Sequence, residues 1–328
     1  MSPCPVIVDA PSVIKRAIFA SVMDDFRAGI WTGGIYGATA MLASVLSHVP
    51  PPRCTAGPVV AMFDGGIPPH RKAAIPGYKS GREERRRLLT EDQHEKAMAQ
   101  VGETRKFWET LGVQCAAYGD YEADDAVAAM VRLTVSMGCR PIVVSGDRDL
   151  YQTVNMGASM WDVAARRLVD AVSFKSLVGV LPNQYVVYRA LVGDSSDSIR
   201  GVRGVGPKRA VGLVQEAAGT HGLPSVMLSR IVKHLRSVNP RLEWQQAVID
   251  DEARLNKVIV GIDLSGSFSD YVSLRRLVLS SSKPARSGYE SACRKYRFFR
   301  FLDEASVYLE PFVRAATVSI PLEEGLPC

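Results

Sequence analysis

The chain has 328 residues, 47% of them hydrophobic and 23% charged, which is ordinary for a folded protein of one large or two smaller domains. Its net charge of +6 and pI near 9.0 suit a polyanionic partner, and no apolar stretch approaches the length of a membrane span. Six cysteines without CxxC spacing point to unpaired thiols in a reducing, cytoplasmic setting, and the N-terminus lacks the pattern of a signal peptide.

The run Val6-Ile7-Val8 predicts a strand that ends on Asp9. Helical spacing follows over 11–20 and 33–48, the latter with Ile35, Ala38, Leu42, Val45 and Leu46 on one face. Beyond Pro50-Pro51-Pro52, residues 58–63 predict a second strand, ending on Asp64. Residues 65–81 are rich in Gly, Pro and bases and read as loop. A charged helix is expected over 83–111 and a clean amphipathic one over 123–137. A third strand, 141–144, runs into Ser145-Gly146-Asp147, and weaker strands are expected at 160–163 and 168–169. This alternation predicts an α/β core with a mainly parallel sheet over 1–184. Helices and glycine turns then dominate 185–302, and 303–328 is expected to be a tail.

Nine carboxylates fall in five clusters: Asp9; Asp64; Glu122, Asp124 and Asp125; Asp147 and Asp149; Asp194 and Asp197. Taken alone, each is more simply an N-cap or a turn residue. That account does not explain why three apolar strands all end on Asp. Ligand sites of open α/β sheets lie at the carboxyl ends of the strands. Two unit charges about 4 Å apart repel by roughly 1 kcal/mol in water and about 4 at an effective dielectric near 20. Such a group calls for cations, and hard oxygen donors suit Mg²⁺ or Mn²⁺.

Two further segments carry chemistry. Gly201-Val202-Arg203-Gly204-Val205-Gly206-Pro207-Lys208-Arg209 places glycines where a tight turn joins two helices, with cations just after it. The free N–H groups of such a helix start can hold a phosphate. Tyr78-Lys79-Ser80-Gly81-Arg82 offers cations that can stabilise a developing phosphate charge, beside a ring that can stack on a base.

Asp9, Asp64, Arg71, Tyr78-Lys79-x-x-Arg82, Glu122-Ala123-Asp124-Asp125, Ser145-Gly146-Asp147-Arg148-Asp149 and Gly193-Asp194-Ser195-Ser196-Asp197 occur in that order. In this the chain resembles the 5′-nuclease family: bacteriophage flap endonucleases and the 5′→3′ exonuclease domain of bacterial DNA polymerase I. It departs from the family pattern at Ala10-Pro11-Ser12 and at residues 65–70.

The resemblance implies a PIN-like core, a helical arch over 79–111 and a helix–three-turn–helix region with its hairpin at 198–210. It implies that Asp9, Asp64, Glu122, Asp124 and Asp125 hold one metal, and that Asp147, Asp149, Asp194 and Asp197 hold or support a second. Two Mg²⁺ ions, with Mn²⁺ able to substitute, would drive in-line attack of water on a DNA phosphodiester. Lys79 and Arg82 would grip the scissile phosphate. Arg71, Tyr78, Arg85, Arg86, Gly201, Gly204, Gly206, Lys208 and Arg209 would contact DNA bearing a 5′ flap, a nick or a 5′ end. Carbonyls at Val202 and Val205 are candidates for K⁺. A monomer is expected, and a chain of this size suits a bacteriophage. A PIN-type ribonuclease would share the acids without needing the glycine hairpin, and a non-catalytic junction-binding protein would keep the hairpin and lose acids.

Overall fold

The structure, a computed structural model, describes residues 2–20, 26–27, 29–49, 54–80, 90–238, 240, 242–266, 268–279 and 282–320. The chain folds as two compact units. One comprises Met1–Gly66, Thr90–Val169 and Phe268–Cys328, the other Ile67–Leu89 and Asp170–Ser267.

The first unit is built on a six-stranded sheet. Its strands are β1 (Ser2–Asp9), β2 (Cys54–Phe63), β3 (Gln114–Ala117), β4 (Ile142–Ser145), β5 (Ser159–Asp162) and β6 (Arg167–Val169). They lie in the order β3-β2-β1-β4-β5-β6, parallel except for the last pair. The β-branched runs lie in the middle because a parallel sheet is covered on both faces. Val6, Val8, Ala61, Phe63 and Val144 join one core with side chains of the helices Ala10–Ala20, Gly33–His48 and Glu91–Thr110. Ile7, Val60, Met62 and Val143 alternate with them, are equally buried, and face the side where the helix Ala123–Ser136 packs.

Three expectations for this unit change. Gln114–Ala117 is a strand, paired with β2 at the sheet edge, where none was expected. Within the expected arch of 79–111, of which 81–89 lie outside the described residues, the C-terminal end of the helix Glu91–Thr110 belongs to the core: Phe107 and Trp108 are fully buried, and Trp108 donates to the Thr39 hydroxyl at 3.1 Å. Residues 303–320 are not a loose tail. The helices Ala305–Tyr308 and Glu310–Ala316 bring Tyr308, Leu309, Phe312 and Ala315 into the core. There Tyr36 stacks on Phe301 at 4.5 Å, and Phe301 meets Tyr308 at 4.2 Å.

The second unit is helical. Pro69–Ala74, Ala171–Val178, Tyr185–Val192, Pro207–Leu213, Pro224–Ser237, Glu243–Asp250 and Glu252–Ile262 are its helices. Val187, Leu191, Ala210, Val214, Leu228, Ile231 and Leu255 are buried in it. The helix at 69–74 arises inside an expected loop, because Ile75 seats it against Gly261: a Cβ there would lie 2.6 Å from Ile75. Among the described residues no helix is long and apolar enough to cross a membrane, and Cys4, Cys54, Cys115, Cys139 and Cys293 are free thiols.

Candidate active site

The parallel register pairs Asp9 with Met62 and Val8 with Val144, so β1, β2 and β4 end on one edge of the first unit. Strand order reverses between β1 and β4, the position where open α/β sheets take their ligands. Asp9 sits there at 3% exposure. Its Oδ2 accepts the Ser145 hydroxyl at 2.5 Å and its Oδ1 accepts the Ser12 N–H at 3.3 Å. The Asp147 N–H donates to Ser145 Oγ at 2.8 Å, and Asp147 Oδ1 accepts the Asp149 N–H at 2.9 Å, which caps the short helix Arg148–Val154.

Asp64 is exposed just past β2, and its Oδ1 accepts the Ala123 N–H at 3.1 Å. Gly65 and Gly66 both donate to the Tyr121 carbonyl at 3.0 Å. A Cβ at Gly65 would lie 2.2 Å from the Tyr118 carbonyl oxygen, so only glycine allows this approach. The clamp holds Asp64 at the start of the helix that carries Glu122, Asp124 and Asp125. Asp125 Oδ2 accepts the Glu122 N–H at 3.2 Å and so caps that start; Glu122 and Asp125 are 4% and 0% exposed, while Asp124 is half-buried in the first turn. Helix N-termini favour such negative charge.

Burial pushes the pKa of Asp9 up to about 7; the Ser145 hydroxyl opposes it, while the charges of Asp147 and Asp64 add to it. An acid this buried, facing like charges through oxygen donors alone, suits a hard divalent cation. Among the described residues no three His, Cys, Asp or Glu form a ready-made metal cage.

In the second unit, Gly193–Asp194 pairs antiparallel with Ile199–Arg200. Burial would raise the pKa of Asp194, but the Ser196 hydroxyl, the Arg189 guanidinium and the Ser196 N–H hold it below the usual carboxylate value. Asp197 is buried; its carbonyl accepts the Lys79 N–H at 3.0 Å, and its Oδ2 stands 3.5 Å from the Tyr78 hydroxyl. Lys79 is itself 9% exposed, has a left-handed backbone at φ 60°, and carries its ammonium 5.0 Å from the Tyr78 ring centre.

The glycine hairpin follows. Gly201 has no room for a side chain, since a Cβ would meet the Val192 carbonyl oxygen at 2.1 Å. The Val202 N–H donates to the Leu191 carbonyl at 2.9 Å and the Val205 N–H to the Val202 carbonyl at 3.0 Å. The turn passes through Gly204 at φ 79° and ends at Gly206, which caps the helix Pro207–Leu213. Lys208 and Arg209 are exposed; Arg209 donates to the Gly204 carbonyl and lies 5.6 Å over the Trp244 ring.

One expected DNA contact is corrected. Arg71 is 2% exposed, and its Nε donates to the Gly261 carbonyl at 3.0 Å, so it is committed inside the unit. Arg82, Arg85 and Arg86 lie outside the described residues. Sequence reasoning missed Ser12, Ser145, Arg189 and Arg254. Arg254 donates to the Arg200 carbonyl at 2.6 Å and braces the hairpin. Only Ser145 carried a signal, its place two residues before Asp147.

The first unit is thus an α/β fold with buried and half-buried acids along the carboxyl edge of its parallel sheet. A family profile described as 5′-3′ exonuclease, N-terminal resolvase-like domain, matches residues 5–179, and one described as 5′-3′ exonuclease, C-terminal SAM fold, matches 180–273. The chain belongs to the 5′-3′ exonuclease family. DNA polymerase I of Bacillus caldotenax is 30% identical over 216 residues, 64% of this chain and 23% of that protein. The chain thus spans about a quarter of the length of the curated relatives it matches. Among solved structures, a bacteriophage T5 flap endonuclease complex with DNA and metal ions superposes with TM-score 0.65 at 18% identity, covering 90% of this chain and 98% of that one. The catalytic core of Rad2 in complex with DNA substrate gives 0.53 at 15% identity, covering 94% and 93%. Both likenesses show the fold.

Proposed function

We propose that this chain is a structure-specific 5′ nuclease that hydrolyses DNA phosphodiesters, with Mg²⁺ as its metal, and leaves 5′-phosphate and 3′-hydroxyl ends. The observation that carries the reading is Asp9, buried where strand order reverses and close enough to Asp147 and Asp64 for their charges to raise its pKa. Family membership supports the reaction. The DNA complexes of the T5 and Rad2 proteins support DNA as the substrate.

Asp9, Asp64, Glu122, Asp124, Asp125, Asp147 and Asp149 are the residues that would hold divalent ions in the first unit. Such ions activate water and neutralise charge on the phosphate. Asp194 and Asp197 have a role readable from their own unit: Asp194 is tied to Arg189 and Ser196, and Asp197 positions Tyr78 and Lys79. Lys79 supplies a cation to the scissile phosphate. The hairpin amides, with Lys208, hold the duplex backbone without reading sequence. The substrate is DNA with a 5′ flap, a nick or a free 5′ end, met in replication or repair, and the protein acts as a monomer in the cytoplasm.

The test is cleavage of 5′-flap, nicked-duplex and single-stranded substrates with Mg²⁺ or EDTA, with product ends mapped. Flap and 5′-end cleavage that needs Mg²⁺ and yields 5′-phosphates supports the reading. Cleavage of RNA alone, or cleavage indifferent to EDTA, refutes it.

A further inference from the structure

We propose that Ser145 and Ser12 are positioning residues that lock Asp9 and the Asp147 turn into one rigid frame able to share a divalent cation. The inference rests on the nuclease reading above and assigns work to two side chains outside the acidic set.

The hydroxyl of Ser145 is fully buried at the end of β4. A hydroxyl has one proton to give and two lone pairs. Here the proton goes to Asp9 Oδ2 at 2.5 Å, and a lone pair accepts the Asp147 N–H at 2.8 Å. One oxygen atom therefore fixes the distance between an acid at the end of β1 and the backbone of an acid two residues past β4. Ser12 closes the frame from the other side. Its N–H holds Asp9 Oδ1 at 3.3 Å, and its Oγ accepts the Gly146 N–H at 2.9 Å. Gly146 leaves no spare room, since a Cβ there would come within 3.3 Å of Ser12 Oγ. Both carboxylate oxygens of Asp9 are thus oriented by serines, and the same serines hold the 145–147 turn. Ser12 falls in the segment Ala10-Pro11-Ser12, where this chain departs from the family pattern.

A carboxylate bound to a metal is fixed by partners behind it, and loss of such a partner typically costs about 10- to 100-fold in metal affinity or activity. The experiment measures Ca²⁺ binding by titration calorimetry for the full chain, together with single-turnover cleavage at saturating Mg²⁺ and the melting temperature in EDTA. Ser145→Ala should weaken Ca²⁺ by about 10- to 100-fold and lower the saturated rate. Ser145→Thr, which keeps the hydroxyl, should restore most of both. Ser12→Ala should weaken Ca²⁺ less, since its backbone N–H remains. If Ser145→Ala lowers only the melting temperature and leaves Ca²⁺ affinity and rate intact, the hydroxyl is merely structural and the proposal falls. Wild-type protein that neither binds Ca²⁺ nor cleaves DNA would sink the nuclease reading itself.

Discussion

The sheet edge of the first unit and the glycine hairpin of the second carry their charged residues in opposite ways. In the first, acids are drawn inward: Asp9, Glu122 and Asp125 are all under 5% exposed. In the second, the hairpin turns its cations outward, with Arg203, Lys208 and Arg209 exposed around Gly204. Burying a charge is costly unless hydrogen bonds and counter-charges compensate, whereas a surface Lys or Arg costs little. Placement inside the first unit therefore buys precision, which chemistry requires. On the proposed reading, exposure on the second serves to hold a phosphate backbone without reading sequence. Substitutions in the first unit should change turnover, and those in the hairpin should change affinity.

The largest effect is expected at Asp147. Asp147→Asn keeps the oxygen that accepts the Asp149 N–H, so the turn survives. Turnover should fall by several orders of magnitude. DNA binding measured without metal should persist or tighten, because a negative charge near phosphate is gone. Wild-type cleavage by this variant would end the metal assignment.

A fold lesion in the first unit should look different from a chemical one. Phe312 is 1% exposed within the aromatic core, and Phe312→Ala should cost about 3–5 kcal/mol of stability. Urea unfolding should show a lower midpoint with an unchanged slope. A loss below about 1 kcal/mol would mean that the 310–316 helix contributes little to the core.

Lys79 is the residue most able to sharpen the comparison, because the proposed reading gives this buried cation a part in turnover and not in grip. Ala tolerates φ 60° no worse than Lys, so Lys79→Ala should fold. Its saturated single-turnover rate should drop by about 10²- to 10³-fold, roughly 2.7–4 kcal/mol, with little change in Kd. Lys79→Arg should restore little, since a planar fork does not fill a compact ammonium site. An unchanged saturated rate with a raised Kd would make Lys79 a binding residue only.

The acidic edge was legible because buried parallel strands read as unbroken apolar runs, and these three runs stop directly before an acid or three residues short of one. The strand Gln114–Ala117 was not, because Gln114, Cys115 and Ala116 are half-buried, Ala117 is exposed, and none has strong strand preference. The folding of residues 305–316 depends on Tyr36, Phe107 and Phe301, partners no local pattern reveals. Arg71 sat in a basic loop by sequence and became buried through a carbonyl 190 residues away. Asp125 caps the helix start, as its position allowed, and its carboxylate keeps lone pairs beyond the one that bond uses.

The smallest effect separates two neighbours on the hairpin. Lys208 and Arg209 are both exposed in the first turn of the helix Pro207–Leu213, but only Arg209 is tied back, to the Gly204 carbonyl and the Trp244 ring. Lys208→Ala should therefore remove one phosphate contact and nothing else. Its log Kd against log salt should shallow by about 1, equally on flap, nicked and plain duplexes and whatever their sequence. The saturated cleavage rate should stay at the wild-type value. Arg209→Ala should show the same loss of salt slope plus a lower melting temperature, because the hairpin loses its brace. Fluorescence anisotropy across a salt series reads both. If Lys208→Ala leaves the slope untouched, the hairpin does not meet phosphate, and the division between a chemical unit and a gripping one fails on its second half.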